Sequence, residues 1–196
     1  SNNLGIILDP NSFKNMRSVA EKAERNGFHS IWVTELFRSS FEQLTFLSSF
    51  TNEIKIGSAI TLAFTRSPLV TVISALDIDE LSEGRLILGI GSGAMNTNRK
   101  WHNFLDFDHP SKRIESFYKV FRGIEKSIVK KNDLKFKDNY YNLELRGFKR
   151  PFDTFRSQIP LFLGGIGTKM THISKNLFQG YIGHVVCSKS YIKDKI

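Results

Sequence analysis

The sequence predicts an α/β fold on a parallel sheet, a (β/α)8 barrel that is incomplete in this chain, and three observations predict it. Short apolar runs alternate with longer amphipathic stretches. Helix stop signals lead straight into the next apolar run, as in Leu81-Ser82-Glu83-Gly84-Arg85-Leu86-Ile87-Leu88, which leaves no room for a hairpin. Finally, several apolar runs end in glycines, such as Gly89-Ile90-Gly91-Ser92-Gly93. A helix feeding a buried strand this tightly belongs to a parallel sheet with right-handed crossovers.

The elements follow in order. Residues 4–8 form a short apolar strand closed by Asp9-Pro10, and Ser12 can cap a helix whose Phe13, Met16, Ala20 and Ala23 share one face. Gly27 ends that helix, and Ile31-Trp32-Val33 make the second strand. A helix through Phe41, Leu44 and Leu47 precedes a third strand over 54–61. Pro68 opens a long helix at the position where proline is tolerated, with Leu69, Val72, Ile73, Leu76 and Leu81 on its apolar side. Gly84 sits where a left-handed stop is expected, and 86–90 is the fourth strand. After a polar loop, a helix from Pro110 or Ser111 turns Ile114, Phe117, Phe121, Ile124 and Ile128 inward. The charged and aromatic segment 130–159 breaks the alternation after the fourth unit. It reads as an inserted surface hairpin turning at Asp138-Asn139. Pro160-Leu161-Phe162-Leu163-Gly164-Gly165 is the fifth strand, a helix through Met170, Ile173 and Leu177 ends at Gly180, and Tyr181-Ile182-Gly183 begins a sixth.

Such alternation fits either an open doubly wound sheet or a closed barrel. A dinucleotide fingerprint would follow the first strand, and Leu8-Asp9-Pro10-Asn11 lacks it, whereas glycine loops after later strands suit a barrel whose ligands gather at the strand C-terminal ends. About six of the eight units of a barrel are present. The expectation is one domain over 1–196 with its C-terminal units missing, because the chain starts at Ser1 rather than Met and stops inside a helical pattern.

Composition narrows the partners. No apolar run is long enough to span a bilayer, and no signal-peptide pattern opens the chain. The single Cys187 excludes an internal disulfide and fits a reducing, cytoplasmic setting, where it reads as a buried bystander. A formal net charge of +9 is the outlier; it suits a phosphate-bearing cofactor, an anionic substrate or a lysine-rich surface. Nucleic acid is a minor reading, since no helix-turn-helix, zinc-finger or RNP-type signature accompanies the charge. His102 and His109 flank Phe104-Leu105-Asp106-Phe107-Asp108 without a second ligand cluster, so no metal is expected. Gly164, Gly165 and Gly167 precede a helix starting near Thr168, where bare N–H groups and the helix dipole can hold a phosphate.

Several stretches together resemble one family. Gly27-Phe28-His29-Ser30-Ile31-Trp32-Val33-Thr34-Glu35, Thr51-Asn52-Glu53-Ile54-Lys55-Ile56-Gly57, Thr65-Arg66-Ser67-Pro68, the stretch from Leu76 to Gly93, Tyr140-Tyr141-Asn142-Leu143 and Ile159-Pro160-Leu161-Phe162-Leu163-Gly164-Gly165 occur in the family's order. They are similar to the luciferase-like monooxygenase superfamily, nearest to its deazaflavin-dependent methylenetetrahydromethanopterin reductase branch. The resemblance implies a flavin- or deazaflavin-dependent oxidoreductase binding FMN or coenzyme F420 at the barrel mouth. Such an enzyme moves a hydride or activates dioxygen on the ring of the cofactor, acts on a small molecule and leaves room for a homodimer of the full-length protein.

The resemblance also implies site residues. Glu35 ends the second strand where relatives carry an acid, and Asp9, two residues beyond Ile7, shares the direction of an acid that the reductase branch carries on its first strand; both are expected catalytic groups. The ring is expected against Ala59, Ile60 and Thr61, with a non-proline cis bond between Ala59 and Ile60. Gly91, Ser92, Gly93 and Asn96 are expected to touch the cofactor, and Gly164, Gly165, Gly167 and Thr168 to hold its phosphate. The chain departs from the pattern at Leu36, where relatives have His, and at Ala94, where some have an acid. A non-catalytic flavin-binding relative is therefore the alternative, with an anion- or nucleic-acid-binding protein behind it.

Overall fold

The computed structural model describes residues 3–8, 11–185 and 187–195. Strand β1 (Gly5–Ile7), helix α1 (Phe13–Arg25), β2 (Ser30–Val33), α2 (Ser40–Ser48) and β3 (Lys55–Ser58) lead to a two-residue strand β4 (Thr61–Leu62). Helix α3 (Pro68–Leu81), β5 (Leu86–Gly91), a short α4 (Met95–Trp101) and the long α5 (Pro110–Lys130) follow. A hairpin of β6 (Leu134–Lys137) and β7 (Asn142–Leu145) then precedes β8 (Leu161–Gly165), α6 (Thr168–Leu177), β9 (Gly180–Gly183) and α7 (Lys189–Lys195).

The main sheet is wholly parallel, in the order β1-β2-β3-β5-β8-β9, with β4 beside β5. Alternate strand residues divide it into two faces. Ile31, Val33, Ile56, Leu86, Leu88, Ile90, Leu161 and Leu163 are all fully buried on the helix-covered side. The other face is concave: Trp32 and Phe162 stand on strands separated by β3 and β5, yet their rings approach to 5.9 Å between centroids. The sheet therefore curls as part of a (β/α)8 barrel, with β1 and β9 at its two ends among the described residues.

The helices start and stop where their caps require. Ser12 accepts the Asn15 N–H at 3.2 Å and Ser67 accepts that of Val70 at 3.2 Å, with Pro68 at the first turn of α3. Glu83 and Gly84 take positive φ (51° and 75°), and the Gly84 N–H closes onto Asp79 O at 2.8 Å, which ends α3 as expected. Leu81 differs from expectation: it is half-exposed, because the helix turns it past the edge of the packed face.

The strand N-terminal ends are tied by buried polar groups. Arg85 donates to the carbonyls of Ser82, Ser48, Thr51 and Ile54 and to Thr51 Oγ1, at 2.7–3.3 Å. On α5, Arg122 reaches Glu125, Ile159 O and Gln179, while Glu125 accepts the Ile159 N–H at 2.7 Å. Burial pushes the Glu125 carboxyl up, against the Ile159 N–H and Arg122. The 130–159 segment forms its expected hairpin, turned by Asp138 Oδ1 accepting the Tyr140 and Tyr141 N–H groups. Arg150 and Arg156 then pair with Asp77 and Asp79 and fasten its end to α3.

Two expectations need correction. The third strand is not continuous over 54–61: it breaks after Ser58 and resumes at Thr61, so that Ile60 can turn onto the concave face. The polar loop after β5 contains α4, whose buried side is Asn98 rather than an apolar stripe, which left no hydrophobic period to find.

Candidate functional site at the strand C-terminal ends

Among the described residues, Glu35, Ala59, Ile60, Thr61, Gly91 and Gly164 lie together where β2, β4, β5 and β8 end. The Ala59–Ile60 bond is cis. Around it the chain makes a bulge held on both sides. On the concave side the Ile60 side chain lies directly over two glycines: a Cβ on Gly91 would stand 2.3 Å from Ile60 Cδ1, and one on Gly164 2.3 Å from Ile60 Cγ2. Beneath the bulge, a Cβ on Gly89 would stand 1.9 Å from the Ser58 carbonyl oxygen. These strand glycines thus make room for the bulge itself.

On the helix-covered side a chain of hydroxyls runs from Ser40 Oγ to Thr61 Oγ1 (2.8 Å), from Thr61 to Ser58 Oγ (2.9 Å) and from Ser58 to Gly89 O (2.8 Å). All three hydroxyl residues are buried. Since Ser58 and Thr61 each donate onward, Ser40 must donate to Thr61, and every hydroxyl of the chain is satisfied.

Glu35 stands beside this chain, its side chain only 8% exposed. Its Oε2 accepts from Leu62 N (2.7 Å) and Arg66 Nη1 (2.9 Å), and its Oε1 from Ser40 N (3.3 Å) and Arg66 Nη2. The carboxylate braces the bulge with both oxygens. Asp9, the other expected acid, lies outside the described residues.

In the loop after β5, Gly93 has φ +65°, and a Cβ there would meet Leu62 Cδ2 at 2.5 Å. Ser92 is half-buried and Asn96 exposed. It is Asn98 that organises this loop: fully buried, it donates through Nδ2 to Ser92 O (2.8 Å) and Ala94 O (2.9 Å), while its Oδ1 is enclosed without a partner. The sequence gives no sign of this role, since burial of an asparagine in a polar stretch leaves no local signature.

At the end of β8, the Tyr181 hydroxyl donates to Gly165 O at 2.5 Å, and the Gly167 N–H donates to the Tyr191 hydroxyl at 2.9 Å. Gly167 takes φ +90° with open space where a Cβ would project. Helix α6 begins at Thr168 with neither a side-chain cap nor an acidic residue in its first turn, so the positive end of its dipole is uncompensated by side chains. Two hollows among the described residues lie where the end of α5 meets 152–157 and against α6 and Tyr181. Converging strand ends define the candidate site.

The family model for luciferase-like monooxygenases matches residues 2–195. The chain belongs to this family. It is 31% identical over 175 residues to 5,10-methylenetetrahydromethanopterin reductase of Archaeoglobus fulgidus, covering 88% of this chain and 48% of that protein. With the enzyme of the same name from Methanolobus tindarius it shares 28% over 180 residues, covering 89% and 50%. Among solved structures, the coenzyme F420-dependent tetrahydromethanopterin reductase of Methanopyrus kandleri aligns with a TM-score of 0.77 at 22% identity, over 93% of this chain and 55% of that one. The FMN complex of the oxygenating constituent of 3,6-diketocamphane monooxygenase from Pseudomonas putida aligns at 0.75 with 16% identity, over 91% and 56%. At those identities the structures share the fold. The chain spans about half the length of the relatives it matches. Among the described residues, no helix is long and apolar enough to cross a membrane.

Proposed function

We propose that the protein containing this chain is an FMN- or F420-dependent oxidoreductase that seats the cofactor ring against Ile60 at the mouth of the barrel. The observation that carries this reading is the placement of Ile60 over Gly91 and Gly164 on the concave face, in a bulge braced by Glu35 and the Ser40–Thr61–Ser58 hydroxyls. Reductase and monooxygenase relatives on the same fold support the cofactor class.

The residues present fit such a group. The enclosed, unpartnered Oδ1 of Asn98 leaves an acceptor in the loop beside Gly93. The uncapped start of α6 at Thr168, with open space where a Gly167 side chain would project, suits a phosphate, although the Gly167 N–H itself is taken by Tyr191. When bound, a flavin or deazaflavin ring supplies the redox chemistry by giving or taking a hydride or, for the flavin, by activating dioxygen. The chain's own contribution is binding and orientation. Ile60 would give the ring an apolar backing, Gly164, Gly165, Gly167 and Thr168 would lie toward the phosphate end, and the Ser92–Gly93 loop would contact the cofactor. Glu35 keeps the bulge in place rather than exchanging protons, because four donors already occupy its two oxygens.

The test is to titrate the purified protein separately with FMN and F420, following absorbance and fluorescence. Saturable binding of one of them is expected; failure of both refutes the cofactor assignment. Ala94 and the fully engaged Glu35 favour a second reading, a flavin-binding relative without turnover. Binding with no oxidation or reduction of the ring under reductant and oxygen would select it.

A further inference from the structure

We infer that Arg66, acting through Glu35, is a positioning residue that sets the height of Ile60 on the concave face. The inference rests on the proposed seat for the ring, which Arg66 itself does not touch.

Arg66 stands two residues before α3, and Glu35 lies 31 residues earlier, just past β2. The guanidinium takes one carboxylate oxygen with each terminal nitrogen, and its Nη2 also donates to Ser39 Oγ at 3.2 Å. Its plane is steadied from the side by the Phe41 ring, 5.2 Å from centroid to Cζ. A two-pronged grip fixes the orientation of a carboxylate as well as its charge. With that plane fixed, Oε2 points at the Leu62 N–H and Oε1 at the Ser40 N–H. Leu62 is two residues beyond Ile60. Ser40 in turn supplies the hydroxyl that holds Thr61.

The two residues after Ile60 are therefore both anchored through the Arg66–Glu35 pair, one directly and one through Ser40. On the concave side Ile60 has no slack, because Gly91 and Gly164 already lie against its side chain. A rotated Glu35 carboxylate would release Leu62, and Ile60 would follow. Lysine at 66 would keep the charge but grip through a single point, so it could not hold both oxygens in one plane.

The experiment compares Arg66→Lys, Arg66→Gln and Glu35→Gln with the parent protein, using Arg85→Lys as a control at the opposite end of the sheet. Hydrogen exchange at the Leu62 amide, Kd for FMN and F420, the absorption band of the bound ring and thermal melting are measured for each. For the Arg66 variants that melt cooperatively, we expect Leu62 exchange to accelerate and Kd to rise by about tenfold or more, with the bound-ring band moved toward that of free cofactor. Arg66→Lys should lie closer to the parent than Arg66→Gln. The control should lower the melting temperature and leave Kd and the band unchanged. Parental Kd and band in cooperatively melting Arg66 variants would overturn the inference. Should Arg66→Gln fail to fold, Arg66→Lys and Glu35→Gln carry the same test. If the parent protein binds neither cofactor, the ring seat falls by itself; exchange at Leu62 then decides whether Arg66 holds the bulge, parental protection in Arg66→Lys refuting it.

Discussion

Replacing Gly164 with alanine puts a methyl carbon 2.3 Å from Ile60 Cγ2, with Ile60 Cβ and Ile90 O next at 3.6 Å. Carbon atoms in ordinary contact sit about 3.5–4.0 Å apart, so Ile60 or β8 must move by more than about 1 Å. Overpacking of this kind costs about 1–3 kcal/mol. Ile60→Ala alone should cost about 1–2 kcal/mol, since the side chain is only partly buried. The double variant removes the clash, because the other neighbours of the new methyl are already at normal distance. Its loss should therefore fall short of the sum by about 1–2 kcal/mol, a coupling typical of residues in contact. Gly89→Ala is the control: its methyl would meet the Ser58 carbonyl oxygen at 1.9 Å and Ile182 Cδ1 at 2.4 Å, neither belonging to Ile60. Ile60→Ala should give it no relief. Equilibrium urea unfolding followed by the fluorescence of Trp32 and Trp101 measures all the variants. A Gly164→Ala cost that is the same with and without Ile60 would refute the account of the bulge.

Three further outcomes follow from the polar ties. Arg85→Met should destabilise by about 2–4 kcal/mol in urea unfolding, because five donated hydrogen bonds vanish and four buried carbonyls lose a partner. Ser67→Ala should cost about 1 kcal/mol and fray the start of α3, read as faster amide exchange at Val70. Glu24 accepts the N–H groups of Asn52, Glu53 and Ile54 at 2.8–3.1 Å; burial pushes its carboxyl up, but these three donors outweigh it and hold it below the ordinary value. A folded-state value below the unfolded one means that the unfolded chain binds the proton first. This contribution is therefore present above the unfolded pKa of about 4.3 and is lost as pH falls through the folded value. The urea midpoint of Glu24→Ala should accordingly depend less steeply on pH below about 4.5 than that of the parent, and an identical slope would refute the role of the three N–H donors.

The elements were legible because their signals are local. Ser12, Ser67 and Pro68 mark helix starts, Gly84 marks a stop, and apolar runs such as Leu86-Ile87-Leu88 need only their own composition to be read as buried strand. The glycines at the C-terminal ends of β5 and β8 were legible as a place, since strand C-terminal ends in parallel folds gather ligands. The role of those glycines was not: Gly91 and Gly164 lie opposite Ile60, and that pairing requires the strand order of the curled sheet. Asn98 was missed as the organiser of its loop because its burial comes from the packing of the short α4 rather than from any periodic pattern.

The chain by itself therefore determined the parallel α/β architecture and the family that its ordered motifs resemble, and it pointed to the strand ends proposed as the site. Each depends on interactions spanning a few residues or on motifs kept in order. Only the tertiary structure decided that the third strand breaks at Ser58, that Ile60 rests on two glycines, and that Glu35 is drawn into Arg66, Ser40 and Leu62. Those contacts join residues up to 104 positions apart, from Ile60 to Gly164, and a carboxylate's role depends on which donors the fold brings to its two oxygens.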